Sequence, residues 1–136
     1  MFIKDLLNEL TFTSLNATNG VAITANGVGT AVSLAGVVGE AVIALDLPAA
    51  TAGTLPTLSV AVTTCATSGG SYVPLNNAAG SAIVFTTATA TKVYQQLSID
   101  TRIALGYIQL AWTIGGTSTP SFPSLAATLV SSAQVH

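Results

Sequence analysis

Beyond residue 12, the chain is dominated by short runs in which apolar residues alternate with small or polar ones. An apolar residue at every second position lies on one face of an extended strand, so each run predicts a half-buried strand. The runs are residues 21–25, 43–47, 58–63, 93–99, 108–114 and 125–129. Residues 31–34 and 82–86 are predicted as two further strands, because their β-branched side chains would crowd a helical turn.

Turn-forming residues separate these runs. The dipeptides are Asn19-Gly20, Asn26-Gly27, Gly69-Gly70, Ala79-Gly80 and Gly115-Gly116. All five prolines also fall between the runs, where a missing backbone N–H costs no ladder hydrogen bond. About eight short strands at this spacing predict an all-β fold, either a sandwich or a barrel.

The clearest strand candidate is Gly106–Ile114, which carries the only tryptophan. Its alternation predicts that one face anchors the core, and a ligand-stacking role for the tryptophan is the alternative. The predicted core anchors are Ile108, Leu110, Trp112 and Ile114. A turn at residues 115–118 would then let residues 122–131 return beside this strand.

The first twelve residues have a different pattern. Phe2, Leu6, Leu7 and Leu10 recur at a helix-like spacing. We therefore expect an N-terminal arm or short helix over residues 1–12 and a single β-sandwich domain over 13–136. Because three of the eight charged side chains lie here, this arm is the predicted contact with a neighbouring subunit. The predicted contact residues are Phe2, Lys4, Asp5, Leu6 and Glu9.

The composition favours a protein that is covered by neighbours. Half of the residues are hydrophobic, only 6% are charged, and the formal net charge is −2. An ordinary soluble domain has about 25% charged residues, and a net charge near zero promotes association. This pattern is typical of a subunit with much of its surface buried in an assembly.

The same composition argues against nucleic acid and membrane as partners. The basic residues Lys4, Lys92 and Arg102 are too few for a phosphate-binding patch. The best apolar run, residues 36–47, is interrupted by two carboxylates and is shorter than the roughly 20 residues that a spanning helix needs.

The residues that could support catalysis are few and scattered. Glu40, Asp46 and Asp100 are expected to be solvated turn residues or to form one ion pair, from Asp46 or Asp100 to Arg102. The lone histidine, His136, lies at the end of the chain, where a general base is rarely held in place. With a single cysteine, Cys65, which we expect to be a packed side chain, the sequence predicts no catalytic, metal or cofactor site.

Aromatic and amide side chains leave a glycan-binding module open as an alternative. Such a module would need the three tyrosines on one solvent-exposed face beside amides. The candidates are Tyr72, Tyr94 and Tyr107 with Gln95, Gln96 and Gln109.

Several segments resemble the capsid cement proteins of tailed phages. Residues 105–117, LGYIQLAWTIGGT, followed by Pro120 and Phe122, are similar to the C-terminal signature of that family. The strand at 58–63 followed by the turn 68–72 resembles a further unit, and the order of residues 5–7 and 39–47 is also similar. The chain departs from the family at Gly106 and Gln109, where basic residues are common, so no salt bridge is transferred.

This resemblance implies a jelly-roll sandwich, usually trimeric, on the outer surface of a capsid where major capsid proteins meet. We therefore expect a non-catalytic virion protein, made in the host cytoplasm, that binds copies of itself and the major capsid protein. A subunit of the tail or of the head-completion complex is the alternative within the same class.

Overall fold

The computed structural model describes residues 8–15, 21–37 and 39–134. Within these ranges the chain forms nine strands and no helix. The strands are β1 (Asn8–Ser14), β2 (Gly27–Val28), β3 (Val32–Ser33), β4 (Glu40–Leu47), β5 (Ala52–Cys65), β6 (Val73–Pro74), β7 (Val93–Asp100), β8 (Tyr107–Ser121) and β9 (Ala126–Gln134).

The strands form two antiparallel sheets with the strand order of a jelly roll. One sheet has the order β1-β9-β4-β7, and the other has the order β2-β8-β5-β6, with β3 also pairing with β8. Because β2 and β3 lie along the same partner, they act as one interrupted strand opposite Trp112–Ala111 and Ile108–Tyr107. Counted this way, eight strands are divided equally between the two sheets, which confirms the predicted all-β sandwich.

The core lies between the two sheets and is built by alternation along the long strands. Every second residue of β4, from Ala41 to Leu47, is buried, and Leu58, Val60 and Val62 of β5 face it from the other sheet. Of the predicted anchors on β8, Ile108, Leu110 and Trp112 are buried, and Ile114 packs partly buried against the core. The period-2 pattern therefore places these side chains between the sheets.

Residues 82–88 cover the side of β5 that faces away from β8. The amide of Phe85 donates to the carbonyl of Val60 at 2.9 Å, and that of Val62 donates to Ile83 at 3.0 Å. These contacts are isolated bridges rather than the strand predicted over 82–86. The predicted strand at 21–25 is likewise reduced to one bridge between Ile23 and Phe122.

The sandwich begins earlier than the sequence predicts. Residues 8–12, expected in an N-terminal arm or short helix, belong to β1, which pairs with β9 from Asn8 to Ser14. A helix this short is marginal on its own, so a neighbouring strand that offers a backbone ladder outweighs the local spacing. Glu9 lies opposite Ala133 in this ladder, whereas Phe2, Lys4, Asp5 and Leu6 lie outside the described residues.

The predicted hairpin between β8 and β9 is wrong. Residues 115–121 do not turn back but continue β8 beside β5, pairing Thr57 with Gly115 and Thr54 with Thr117. Two register shifts in β5–β8 accommodate the residues with positive φ, including Gly116 at 113°. Glycine at positive φ suits a bulge as well as a turn, and β9 then crosses to the other sheet.

Candidate interaction surface

The charged side chains of the described residues lie at the two ends of the sandwich. Glu40 and Asp100 are register partners on β4 and β7 at one end, where the carboxylate of Asp100 is paired with Arg102. Asp100 Oδ2 lies 2.9 Å from Arg102 Nη2, and Oδ1 accepts hydrogen bonds from Nε at 2.9 Å and from the backbone amide of Arg102 at 3.0 Å. These side-chain hydrogen bonds lower the pKa of Asp100 and raise that of Arg102. The expected ion pair to Arg102 is confirmed for Asp100.

Asp46 lies at the opposite end with a different partner. Its Oδ1 is 3.7 Å from Lys92 Nζ, which is too long for a hydrogen bond, and no other donor in the described residues reaches that buried atom. Asp46 is thus separated from the neighbouring acids Glu40 and Asp100, and the carboxylate of Asp100 is paired with Arg102. Groups of three or more histidine, cysteine or acidic side chains that could hold a metal are absent from the described ranges.

The three tyrosines do not share a face. Tyr107 lies opposite Cys65 in the β5–β8 ladder, and partial burial together with Cys65 and Tyr107 raises the pKa of Tyr72. Tyr94 instead lies on β7 in the other sheet, where its hydroxyl accepts a hydrogen bond of 2.7 Å from Gln96 Nε2.

The remaining amides of the glycan-binding alternative are used within the fold. Gln95 Oε1 accepts the Thr86 amide at 2.6 Å, and Gln109 Nε2 donates to the Gly29 carbonyl at 3.0 Å. The aromatic and amide face that this alternative requires is therefore not assembled.

Cysteine and histidine offer no nucleophile and base pair among the described residues. Cys65 is buried beside the β5–β6 turn, where a Cβ on Gly70 would meet its sulfur at 2.5 Å. His136 lies outside the described residues. In the ranges that the structure describes, no helix could span a lipid bilayer.

Trp112 contacts the chain on its β2 side. Its ring lies so close to Gly27 that a Cβ there would meet Nε1 at 2.9 Å. The ring is 6% exposed and borders a groove of about 260 Å³ formed with residues 21–28. Packing in the core accounts for this placement of Trp112.

An uncharged ribbon forms one end of the molecule. We use the name "ribbon" for residues 51–56 and 115–121, the outer parts of β5 and β8 with the residue preceding β5. Residues 51–55 and 116–119 are all exposed, and the ribbon contains no charged residue. A surface of this chemistry is desolvated at low cost, because no ion must lose its water.

Leu55 is the most exposed large apolar side chain of the ribbon. It is 85% exposed, and its φ of 48° lies in the left-handed region, which a leucine adopts at a cost of roughly 1–3 kcal/mol. It borders an apolar hollow of about 480 Å³ together with Pro56 and Ala90. An apolar side chain held outward at an energetic cost is typical of a contact site.

The alternation pattern does not predict this site. The signal for it is Pro56, which the pattern places in a loop between strands, although it lies inside β5 at the register shift between Thr54 and Thr57. A proline tolerated within a strand marks a bulge, and the residue before it is then forced out of the ladder.

Comparisons with known proteins establish no family for this chain. No family model matches the chain, and no curated protein matches it. Among solved structures, it is similar to the crystal structure of the SPBc2 prophage-derived protein YomS, with a TM-score of 0.46 and 11% identity over 91% of this chain and 95% of that chain. A similarity at this level carries no argument about function, so the fold rests on the strand order itself.

Proposed function

We propose that this protein is a non-catalytic structural subunit of a phage virion, which decorates the outer capsid surface as a trimer and stabilises the joints between major capsid proteins. The observation that carries the proposal is the exposed Leu55 on a ribbon without charges. The resemblance of residues 105–122 to cement proteins supports the same function.

The outer face of the β5–β8 pair extends this uncharged surface. Its register pairs are Ser59 with Thr113, Ala61 with Ala111, and Thr63 with Gln109. Small neutral side chains allow a neighbouring backbone to approach closely, and their burial leaves no charge without water. Since a specific interface buries about 1,200–2,000 Å² in total, a broad flat face of this kind suits lateral contact better than a pocket would.

A trimer would strengthen weak contacts of this type. When three copies are linked, the second and third contacts become intramolecular, so avidity exceeds the affinity of one site. A cement protein needs this gain in avidity, because its contact at a single joint of the shell is weak.

The N-terminal arm remains our proposed second contact. Phe2, Lys4, Asp5 and Leu6 precede β1 and would form this contact together with Glu9, near the start of β1. Since β1 begins at Asn8, removal of residues 1–7 should leave the sandwich folded while it weakens capsid binding.

The ribbon is tested by binding to capsids that lack the protein. We expect Leu55→Ser to reduce the occupancy of such capsids while the melting temperature of the free protein is unchanged or raised. Val73→Ser is the matched control, because Val73 is also exposed, at 47%, but lies on β6 at the other end of β5. Equal binding by both variants, or a stable wild-type monomer that does not bind capsids, would contradict the proposal.

Copy number distinguishes this function from that of a tail or head-completion subunit. A cement protein covers the shell in many copies, whereas a completion protein occupies one vertex in few. Electron cryomicroscopy of intact particles gives both number and position, and particles without the protein should rupture under milder heat than complete ones.

A further inference from the structure

The strand β7 ends one sheet and leaves a row of backbone groups free. The amide of Thr101 donates to the carbonyl of Gly39 at 3.1 Å, which continues the β4–β7 register as a hydrogen-bonded pair. In an antiparallel ladder, hydrogen-bonded pairs alternate with pairs whose backbone groups point away. The N–H and C=O groups of Tyr94, Gln96 and Ser98 therefore point away from β4.

These groups have no partner among the described residues. The order of the sheet places β7 last, and the backbone hydrogen bonds of the turns and loops include none from these three residues. A groove of about 180 Å³ lies beside Ser98 and Asp100 and is also lined by residues 76–78 and by Ile83.

The edge lacks the usual features that prevent pairing. Natural edge strands carry lysine, proline or a bulge at their centre. The β7 strand has none of these, and its pairing with β4 runs without a register shift from Val93 to Asp100. Tyr94, on this edge, is 62% exposed.

We propose that β7 pairs antiparallel with β7 of a second copy across a twofold axis at Gln96, joining the two four-stranded sheets into one. In this register Gln96 lies opposite Gln96, and Tyr94 lies opposite Ser98 of the second copy. The three residues whose backbone groups point outward thereby satisfy one another in a continuous ladder.

The charges at the two ends of β7 complement this arrangement. Lys92 precedes the strand; its side chain is 67% exposed, and its Nζ lies 3.7 Å from Oδ1 of Asp46 in the same copy. Asp100 ends the strand, at an end of the sandwich that carries two carboxylates, Glu40 and Asp100, and one guanidinium, Arg102. The twofold axis brings Lys92 of each copy opposite Asp100 of the other, so a lysine meets a site with excess negative charge.

This contact goes beyond the proposed function and does not depend on it. If the protein also forms trimers, the β7 pairing joins them two by two. An assembly of trimers alone would overturn the edge pairing and leave the cement function standing, whereas dimers alone would support the edge pairing and contradict the trimer.

Two sets of variants test the pairing in the full chain. Sedimentation equilibrium should give an even number of subunits for the wild type and half that number for Gln96→Lys, which places two like charges opposite each other. Ala126→Lys, on the outer face of the inner strand β9, is the matched control and should keep the wild-type mass.

A cysteine at the axis tests the register. Gln96→Cys should form an interchain disulfide under mild oxidation, because hydrogen-bonded antiparallel pairs have Cα atoms about 5.5 Å apart, within disulfide range. Ser98→Cys should not, since the two copies of that residue would be roughly 13 Å apart, and the wild type with its buried Cys65 is the blank. A wild type that stays monomeric or purely trimeric, a Gln96→Lys variant of unchanged mass, or a Gln96→Cys variant without the disulfide would overturn the pairing.

Discussion

At the scale of single residues, the packing of Trp112 on Gly27 shows how a short broken strand is held in place. We expect Gly27→Ala to destabilise the protein by about 1–3 kcal/mol, because the new Cβ would overlap a buried ring that cannot shift easily. Urea denaturation measures this as a lower midpoint at constant slope.

Gly69→Ala is the control for this prediction. Nothing lies within 4 Å of a Cβ at Gly69, so the change should be neutral or slightly stabilising. An equal loss in both variants would mean that backbone flexibility, and not the tryptophan ring, determines the preference for glycine at position 27.

The ion pair of Asp100 with Arg102 predicts a dependence of stability on pH. Hydrogen bonds from Arg102 lower the pKa of Asp100 below its ordinary value of 3.8. Because the folded pKa is below the unfolded one, the stabilisation is present above pH 3.8 and is lost as the pH falls through the lowered value.

Asp100→Asn should therefore be less stable than the wild type at neutral pH, and the two urea midpoints should converge in strong acid. The effect is small, since the pair is exposed to solvent. Arg102→Gln should show the same convergence, and a difference that persists below the lowered pKa would assign the effect to the turn backbone instead of the charge.

At the scale of elements, the long alternating runs could be predicted and the short ones could not. The runs in β4, β5, β7, β8 and β9 have enough apolar positions to define a buried face from sequence alone. The two-residue strands β2 and β6 have no such period, since their position depends on long partners across the sheet. The pairing of β8 could not be predicted either. Gly115-Gly116 is compatible with a turn and with a bulge, and only the β5–β8 ladder shows that the strand continues.

The candidate surfaces were predictable only as a class. Low charge indicates contact with neighbours, but it does not say where. Leu55 is exposed because of a bulge, and the free side of β7 follows from the order of the sheet. Both depend on tertiary pairing that a local pattern does not contain.

Residues 82–88 form an element whose role can be measured. Although this segment makes only isolated bridges, the side chain of Phe85 is 2% exposed. Its backbone amide donates a hydrogen bond to the carbonyl of Val60. We expect Phe85→Ala to lower the free energy of unfolding by about 3–5 kcal/mol, because it leaves a cavity between the segment and β5.

The neighbouring Val84→Ala is the control for that measurement, because Val84 is 45% exposed. Its effect should stay within about 0.5 kcal/mol. If Phe85→Ala were equally mild, the segment would be a loosely attached loop, and the core of the second sheet would end at β5.

At the scale of the whole molecule, the distribution of charge predicts how binding responds to salt. The five charged side chains that the structure describes lie on β4, on β7 or within two residues of β7, so the sheet that contains β5 and β8 carries none of them. Contacts through the ribbon and through the outer face of β5–β8 should therefore change little between roughly 0.1 and 1 M sodium chloride, although that range shortens the screening length about threefold. Sulfate should strengthen the same contacts, since it favours burial of apolar surface.

A contact through the N-terminal arm should respond to salt differently from a contact through the uncharged surface. Lys4 and Asp5 precede β1, and a contact that depends on these two charges would weaken as sodium chloride rises. Capsid binding measured across the salt series with the full chain and with a variant lacking residues 1–7 separates the two contributions. A steep loss in the full chain that disappears in the shortened one would assign the salt-sensitive part of binding to the arm. A loss of equal steepness in both would contradict an uncharged docking surface, because the remaining ions at the ends of the sandwich would then have to carry the contact.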